Sequence, residues 1–180
     1  MIVIKDAERN LTQEKNSVEE AVRDILSNVK CQGDKAILDY TEKFDKLRLN
    51  GIAVAKEEIK AAYGKVSPET IENLNFSAKR IQDFAEHQKS CLKEFSYEIS
   101  PGVTLGHRII PIESCGCYVP AGRYPLPSSA LMSVIPARVA GVKRIAACSP
   151  ANKEFGGIHP AVLVAMDIAG ADEVYCMGGA

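Results

Sequence analysis

The feature that most constrains this 180-residue chain is a segment in which a strand pattern runs through a proline-rich turn into a helix pattern. Residues 115–119 are short and largely apolar, as in a buried strand of a parallel sheet. Residues 120–127 contain three prolines and predict a shaped turn. Apolar residues then recur at helical spacing, with Ser128 or Ser129 as the predicted N-cap. Pro136 predicts a kink or a late start of that helix.

A strand, a shaped turn and a helix N-terminus in this order form a ligand-binding unit in many α/β proteins. Ligands lie at the carboxyl ends of the strands of an open sheet, and a helix N-terminus presents free N–H groups to a phosphate. The sequence contains neither G-x-G-x-x-G nor G-x-x-x-x-G-K-[ST]. From the residue pattern alone, a purely structural turn is therefore favoured over a nucleotide site.

The chain before this segment predicts mainly helices, and the chain after it predicts alternating strands and helices. A capping box at residues 17–20 predicts the start of the first helix, and Gly33 predicts its end. Asp34 is the predicted cap of a second helix that ends near Asp45. Further helices are predicted at 56–64, from the N-cap Ser67 to about 88, and at 160–169, and strands at 1–5, 51–55, 144–149 and 173–177.

These patterns predict an α/β fold, with an incomplete Rossmann-like parallel sheet preceded by a mainly helical N-terminal region with a β-hairpin. Residues 95–100 and 103–112 predict the hairpin, around a type II turn at Pro101-Gly102. Residues 1–113 are predicted to start a first α/β domain, and residues 114–180 to start a second, nucleotide-binding domain. Because a strand followed by Gly-Gly-Ala normally leads into another helix, the sheet is expected to be unfinished at residue 180.

The composition excludes several classes of function. Charged residues make up 25% of the chain and the net charge is −1, so neither a nucleic acid nor an anionic membrane is a predicted partner. No apolar run approaches the roughly 20 residues of a membrane span, and the N-terminus lacks the apolar core of a signal peptide. We therefore expect a cytoplasmic protein.

The cysteines and histidines predict no metal site. The six cysteines are interpreted as reduced core thiols rather than disulfides or zinc ligands. In the close pair Cys115-x-Cys117, the two side chains are expected to point to opposite faces of a strand, which would make joint ligation awkward. The three histidines, His87, His107 and His159, are predicted to be structural or solvated, with His159 as a helix cap.

Six blocks of the sequence resemble histidinol dehydrogenases in order and spacing. They are V-K-C-Q-G-D-K-A-I (29–37), Y-T-E-K-F-D-K (40–46), P-G-V (101–103), G-C-Y-V-P-A-G (116–122), P-L-P-S-S-A-L-M-S-V-I-P-A-R-V-A-G (125–141) and V-Y-C-M-G-G-A (174–180). The resemblance implies two incomplete Rossmann-like domains and an NAD- and zinc-dependent homodimer. It also implies a small amino-alcohol substrate, L-histidinol, which the family oxidises to L-histidine in histidine biosynthesis.

The resemblance also implies where NAD binds. The tyrosine of the family motif Y-V-P-G-G contacts NAD, and here that residue is Tyr118, with Pro120 and Gly122 shaping the same loop. From the residues alone, Tyr118 is alternatively a core aromatic. Ala121 replaces the first glycine of the motif, and alanine resists a positive φ, so the loop geometry is expected to differ slightly.

Two further readings of this turn stay open. Arg123-Tyr124 departs from the small residues of biosynthetic members and is similar to relatives that oxidise other hydroxyl substrates, such as a sulfopropanediol. Arg123 is interpreted either as a contact for a phosphate or carboxylate or as a solvated charge. Ser128 and Ser129 are interpreted either as helix caps or as pyrophosphate contacts.

In the resembling family, the catalytic glutamate–histidine pair, the zinc ligands and the substrate-binding residues lie beyond the position that corresponds to Ala180. So does a glutamine that contacts NAD. No catalytic or zinc-binding residue is therefore assigned to this chain, which is expected to be an N-terminal fragment that is inactive alone. The alternative is a truncated relative that acts as a non-catalytic nucleotide-binding or partner module.

Overall fold

The computed structural model describes residues 12–121 and 124–178 and confirms the α/β fold class. The helices in this part of the chain are α1 Thr12–Gln32, α2 Asp34–Asp45, α3 Lys56–Tyr63, α4 Pro68–Ser90, α5 Pro127–Ala140 and α6 Pro160–Ala169. The strands are β1 Phe95–Ser100, β2 Val103–His107, β3 Ser114–Tyr118, β4 Arg144–Ser149 and β5 Glu173–Cys176. The predicted strand at residues 1–5 lies outside the described residues. No helix in the described ranges is both long and apolar enough to cross a bilayer.

The strands β3, β4 and β5 form the predicted parallel sheet, and they lie in it in that order. The register pairs Tyr118 with Cys148, and Cys148 with Tyr175, so the three strands end at one edge. Two hydrogen bonds extend the pairing past the strand ends, from Val119 N–H to Cys148 (2.8 Å) and from Met177 N–H to Ser149 (2.9 Å). This edge carries the candidate site.

Residues 52–54 lie against the outer edge of β5, where the sequence predicts an unfinished sheet. Ala53 forms an antiparallel bridge with Tyr175. The N–H of Val54 donates to Val174 (2.9 Å), and the N–H of Cys176 donates to Ile52 (2.7 Å). The strand predicted at 51–55 is thus a single bridge that protects the sheet edge.

One hydrophobic core joins the helices to one face of the parallel sheet. Side chains of β4 and β5 alternate between buried and less buried, Cys117 is the buried residue of β3, and the buried set packs in one core with α5 and α6. The largest fully buried apolar residues are Leu131, Ile145, Met166, Val119, Val134, Val162 and Val164. Ala62 of α3 and Leu74 and Ala78 of α4 belong to the same cluster. The division at residues 113 and 114 concerns domains of a longer protein and stays a prediction.

Several helix ends differ from the sequence predictions. Helix α1 includes Thr12 to Asn16, so the capping box at 17–20 lies inside it, because the preceding Gln, Glu and Lys are themselves good helix formers. Helix α5 starts at Pro127 after Leu126, with no side-chain cap, so the predicted caps Ser128 and Ser129 are wrong. A proline with fixed φ is favoured at the first helical position. Asp34 is the first residue of α2, and Gly33 is its N-cap with φ +59°.

Two predicted caps are confirmed. The hydroxyl of Ser67 accepts a hydrogen bond from the N–H of Thr70 (3.2 Å), with Pro68 at the first position of α4. His159 Nδ1 accepts from the N–H of Ala161 (3.2 Å) at the start of α6. Because each cap satisfies a free N–H of the first turn, each contributes to the stability of its helix.

The strands β1 and β2 form the predicted hairpin, and one of its faces is apolar and exposed. Gly102 has φ +80°, the value that a type II turn requires at its third residue. Residues on the apolar face include Phe95, Tyr97, Ile99 and Leu105, all of them exposed. β2 ends at His107, short of the predicted residue 112, because Pro111 has no N–H to donate and the N–H of Ile109 donates to Glu94 (2.7 Å).

Two carboxylates at the start of β5 make the stability of the protein sensitive to acid. Asp172 Oδ2 accepts from the N–H of Ile145 (2.7 Å) and pairs with Arg138 (2.8 Å), which together hold the pKa of Asp172 below its usual value. Hydrogen bonds from Arg144 lower the pKa of Glu173 to about 2. In acid, the unfolded chain therefore binds more protons than the folded chain.

We expect the stabilisation from these carboxylates to be present above about pH 4.5 and to be lost as the pH falls toward about 2. The melting temperature measured across this window should fall, and the fall should be smaller in a protein carrying Asp172→Asn and Glu173→Gln. Asp39→Asn, an exposed control on α2, should leave the pH dependence unchanged. A wild-type melting temperature that stays constant across the window would contradict the prediction.

Candidate functional site

The candidate site is the edge at which the three parallel strands end. Tyr118 ends β3, Cys148 and Ser149 end β4, and Met177 and Gly178 follow β5. Ligands of open α/β sheets bind at the carboxyl ends of the strands, because the loops and helix N-termini that recognise them meet there. The sheet register therefore brings residues from three separate parts of the sequence to one place.

Tyr118 stands at this edge with its ring against the backbone of Gly178. Its side chain is 49% exposed, whereas a core aromatic would be almost fully buried, so core packing does not describe it. A Cβ added at Gly178 would lie 2.5 Å from Tyr118 Cε2, so the ring fits there because residue 178 has no side chain. Partial burial, and then the nearby Cys148 and Asp45, raise the pKa of Tyr118, which keeps the phenol protonated at neutral pH. The Cε2 edge of the ring rests against Gly178, and the contact of Tyr118 with a cofactor stays a prediction.

The loop after Tyr118 is described in part. Pro120 and Ala121 are half-buried, whereas Gly122 and Arg123 lie outside the described residues. Lys46 is the one non-glycine residue with a positive φ in the described ranges, so Ala121 does not adopt the conformation that alanine resists. The replacement of glycine by Ala121 is therefore compatible with the backbone at this point.

A small apolar cavity lies beside Gly178, between the sheet edge and the first two helices. Its volume is about 210 Å³. Its walls come from α1, α2 and the ends of β4 and β5, through Ile25, Val29, Ile37, Tyr40, Thr41, Cys148, Met177 and Gly178. Complete small-molecule pockets measure roughly 300–1,000 Å³. The cavity is therefore large enough for only part of a dinucleotide.

Two buried side-chain oxygens near this edge lack a hydrogen-bond partner among the described residues, Asp45 Oδ2 and Ser149 Oγ. Burial raises the pKa of Asp45, and the nearby backbone N–H of Ala151 opposes that shift. Sequence reasoning did not identify Asp45 as a site residue. The sequence feature that could have pointed to Asp45 is its place in the block Y-T-E-K-F-D-K. That block is short, and its residue pattern does not indicate a particular ligand or reaction.

A larger cavity of about 560 Å³ lies on the other side of the β5 end, and it does not include Tyr118. Its walls are residues 48–54, α3, the loop before α6 and the start of α6. Arg48, Lys65 and Glu58 are among its lining residues, and the first free N–H of α6 is already taken by His159. The Tyr118 edge is the better candidate because it combines a half-exposed aromatic ring, an apolar cavity and unsatisfied polar atoms.

The chain matches the protein-family model described as histidinol dehydrogenase over residues 8–180. It belongs to the histidinol dehydrogenase family. The match includes Tyr118, Asp45 and the end of β5, so every part of the candidate edge lies in sequence that the family shares.

Individual relatives agree with this membership. The chain is 43% identical to the histidinol dehydrogenase of Methanosarcina barkeri over 162 residues, which is 90% of this chain and 37% of the relative. It is 40% identical to the sulfopropanediol 3-dehydrogenase of Ruegeria pomeroyi over 176 residues, 98% of this chain and 40% of the relative. The crystal structure of histidinol dehydrogenase from Elizabethkingia anophelis superposes with a TM-score of 0.82 at 36% identity, over 98% of this chain and 38% of that chain. The chain thus spans about two fifths of the length of these relatives.

The positions of the cysteines in this member of the histidinol dehydrogenase family correct two sequence predictions. Cys115 and Cys117 lie on the same face of β3, because residues two apart on a strand point the same way, so the expectation of opposite faces is wrong. Burial, followed by Cys115, raises the pKa of the Cys117 thiol, and a protonated thiol is a poor metal ligand. Cys31 and Cys91 are exposed, so they are not core thiols.

The described residues do not fit the zinc ion that the family resemblance implies. Within residues 12–121 and 124–178, no group of three or more His, Cys, Asp or Glu side chains is arranged to hold a metal. Each histidine instead contacts nearby backbone. His87 Nδ1 lies 2.7 Å from the carbonyl of Asp83, His107 Nε2 lies 2.7 Å from that of Lys93, and His159 caps α6.

Proposed function

We propose that this chain is the nucleotide-binding part of a cytoplasmic, NAD- and zinc-dependent dehydrogenase that oxidises L-histidinol to L-histidine. The family membership supports the reaction class and its place in histidine biosynthesis. The observation that carries the proposal for this chain is Tyr118, a half-exposed ring held at the carboxyl edge of a parallel sheet within a sequence block of the family. The relatives are longer than this chain, so the activity is proposed for a polypeptide of their length.

In this proposal the chain's own residues bind and orient the cofactor. Tyr118 offers the exposed part of its ring for stacking against a base or the nicotinamide, because only its Cε2 edge rests against Gly178. Pro120 and Gly122 are the other two residues that the family resemblance assigns to this cofactor site. The apolar cavity beside Gly178 excludes water from the part of the ligand that enters it. NAD, when bound, supplies the hydride acceptor, and no described residue is assigned to zinc.

We also propose that the dehydrogenase is a homodimer. The support from this chain is the apolar face of the hairpin, where Phe95, Tyr97, Ile99 and Leu105 are all exposed. A two-stranded hairpin is at best marginally stable without packing, and contiguous exposed apolar surface marks interaction sites.

A second candidate substrate is a sulfopropanediol, and a non-catalytic binding module remains the alternative to an enzyme. The sulfopropanediol dehydrogenase is 40% identical over 98% of this chain, nearly the same identity as the histidinol dehydrogenase. Arg123-Tyr124 is the sequence feature that favours it, because a guanidinium suits an anionic sulfonate. The two substrates differ in charge, so a substrate comparison separates them.

The proposed function is tested by two preparations, this 180-residue chain and a polypeptide of the relatives' length that contains it. We expect the chain alone to bind NAD in a calorimetric titration and to oxidise neither substrate. The longer polypeptide should oxidise histidinol with NAD and zinc. Oxidation of sulfopropanediol only would select the second candidate, and oxidation of neither would leave the binding module. Turnover of histidinol by the chain alone, at rates typical of enzymes, would contradict the assignment of catalysis to residues outside it.

A further inference from the structure

The end of helix α2 lies at the same sheet edge as Tyr118. Ile37, Thr41 and Asp45 are spaced four residues apart on α2, so they lie on one face of the helix. Ile37 and Thr41 line the apolar cavity at the sheet edge. Asp45 follows them one turn later, close enough for its charge to act on Tyr118 and on Cys176, and near the backbone N–H of Ala151 in the loop after β4. One helix face therefore leads from the cavity to a carboxyl group beside Tyr118.

The backbone next to Asp45 is strained. Lys46 has φ +56° and ψ +35°, the left-handed conformation, and it is the one non-glycine residue of the described ranges with a positive φ. A helix that ends in this conformation usually has glycine there. Side chains held in such a conformation persist where the surrounding structure fixes them, and they concentrate at functional sites. The strain thus coincides with the position of an unsatisfied carboxyl oxygen.

The carboxyl group of Asp45 has one unsatisfied oxygen. Its Oδ2 is buried without a hydrogen-bond partner among the described residues, and the backbone N–H of Ala151 lies near the carboxyl group. An ionised Oδ2 lacks a donor and a protonated Oδ2 lacks an acceptor, so either form is unfavourable until a ligand group arrives. A phosphate is a poor candidate because it would face a second negative charge. A hydroxyl group both donates and accepts, so it satisfies either form.

We propose that Asp45 binds a ribose hydroxyl of the dinucleotide whose ring lies on Tyr118. This inference rests on the proposed function, since it takes NAD as the ligand. Tyr118 and Asp45 come from the β3 end and the α2 end, so together they hold the ring and the sugar of one nucleoside. Oδ2 is closed to water in the free protein, so the ligand must shift the contact between Asp45 and Ala151 to reach it. Binding therefore changes the environment of the Ala151 N–H.

The test is a cycle that removes the hydrogen bond from either side. The 180-residue chain is titrated with NAD and with the four NAD analogues that each lack one ribose hydroxyl. We expect one analogue to bind the wild type roughly 10- to 100-fold more weakly than NAD, as for loss of a hydrogen bond to a charged group. Asp45→Ala should weaken NAD binding by a similar factor, and the variant should bind NAD and that analogue with equal affinity. NAD should also shift the amide resonance of Ala151 in the wild type.

Asp39→Asn is the matched control for a lost carboxylate, because Asp39 is an exposed residue of the same helix, and it should leave all affinities unchanged. Asp45→Asn retains an acceptor for Ala151 and so provides a folded variant if Asp45→Ala unfolds; it should show a reduced preference for the same hydroxyl.

Equal binding of NAD and all four analogues by the wild type would overturn the role of Asp45 while leaving NAD binding intact. So would an equal loss for NAD and every analogue in both Asp45 variants, which indicates a structural role. Absence of NAD binding by the wild type would overturn this inference together with the proposed cofactor site.

Discussion

Replacing Ile145 with alanine is expected to destabilise the protein by about 2–5 kcal/mol, the range found for truncating a buried isoleucine. Ile145 lies in β4, the central strand of the parallel sheet, and its side chain is 0% exposed among the residues of α5 and α6. Helices α5 and α6 also pack against other helices, so they cannot collapse fully into the space that the lost atoms of Ile145 would leave. Urea unfolding monitored by circular dichroism measures the difference.

The matched control for this prediction is Ile110→Ala. Ile110 is 73% exposed in the segment between β2 and β3, so its truncation should change the free energy of unfolding by no more than about 0.5 kcal/mol. The hydrogen bond from the Ile145 N–H to Asp172 survives the substitution, so the measured difference reports the side chain alone. A loss below about 1 kcal/mol for Ile145→Ala would mean that β4 is not packed as described.

The elements that surround Ile145 are also those that the sequence predicts best. β4 and α6 have the predicted bounds, 144–149 and 160–169, because each is a short apolar run with clear signals at its ends. Gly170 stops α6 with φ +85°, a conformation that glycine adopts without strain. Where local pattern, helix ends and burial all agree, the sequence is sufficient to predict the element.

The failures occur where the outcome depends on contacts between distant residues. β2 ends early because Glu94, more than ten residues before, takes the N–H of Ile109. The bridge between Ala53 and Tyr175 joins positions more than one hundred residues apart. Asp45 was missed for the same reason, since its partner Ala151 and its neighbour Tyr118 lie far away in sequence. Tyr118, Pro120 and Gly122 came from a family resemblance, which carries such long-range information, whereas residue patterns alone favoured a structural turn.

The contact between Tyr118 and Gly178 leads to the second large expected effect, a loss of NAD binding without a comparable loss of stability. Tyr118→Ala should weaken NAD binding by roughly 5- to 150-fold, as expected from the 1–3 kcal/mol of an aromatic stacking contact. Because the ring is half exposed, the melting temperature should stay within a few degrees, whereas a core aromatic would cost roughly 3 kcal/mol or more. Tyr97→Ala, at an exposed tyrosine of the hairpin, is the control for loss of a ring elsewhere.

Gly178→Ala should weaken NAD binding by a similar factor through a different cause, because the new Cβ would stand 2.5 Å from Tyr118 Cε2 and displace the ring. Gly178 also has φ +141°, which alanine disfavours, so ring displacement must be separated from backbone strain. Gly156→Ala serves this purpose, since Gly156 has φ +70° but nothing within 4 Å of its Cβ position, and it should retain NAD affinity.

Once Tyr118 is already alanine, Gly178→Ala should cost little further affinity, since the ring that it displaces is gone. Losses that simply add in the double variant, or a large loss of stability with unchanged NAD affinity in Tyr118→Ala, would reject this edge as the cofactor site and leave Tyr118 as a packing residue.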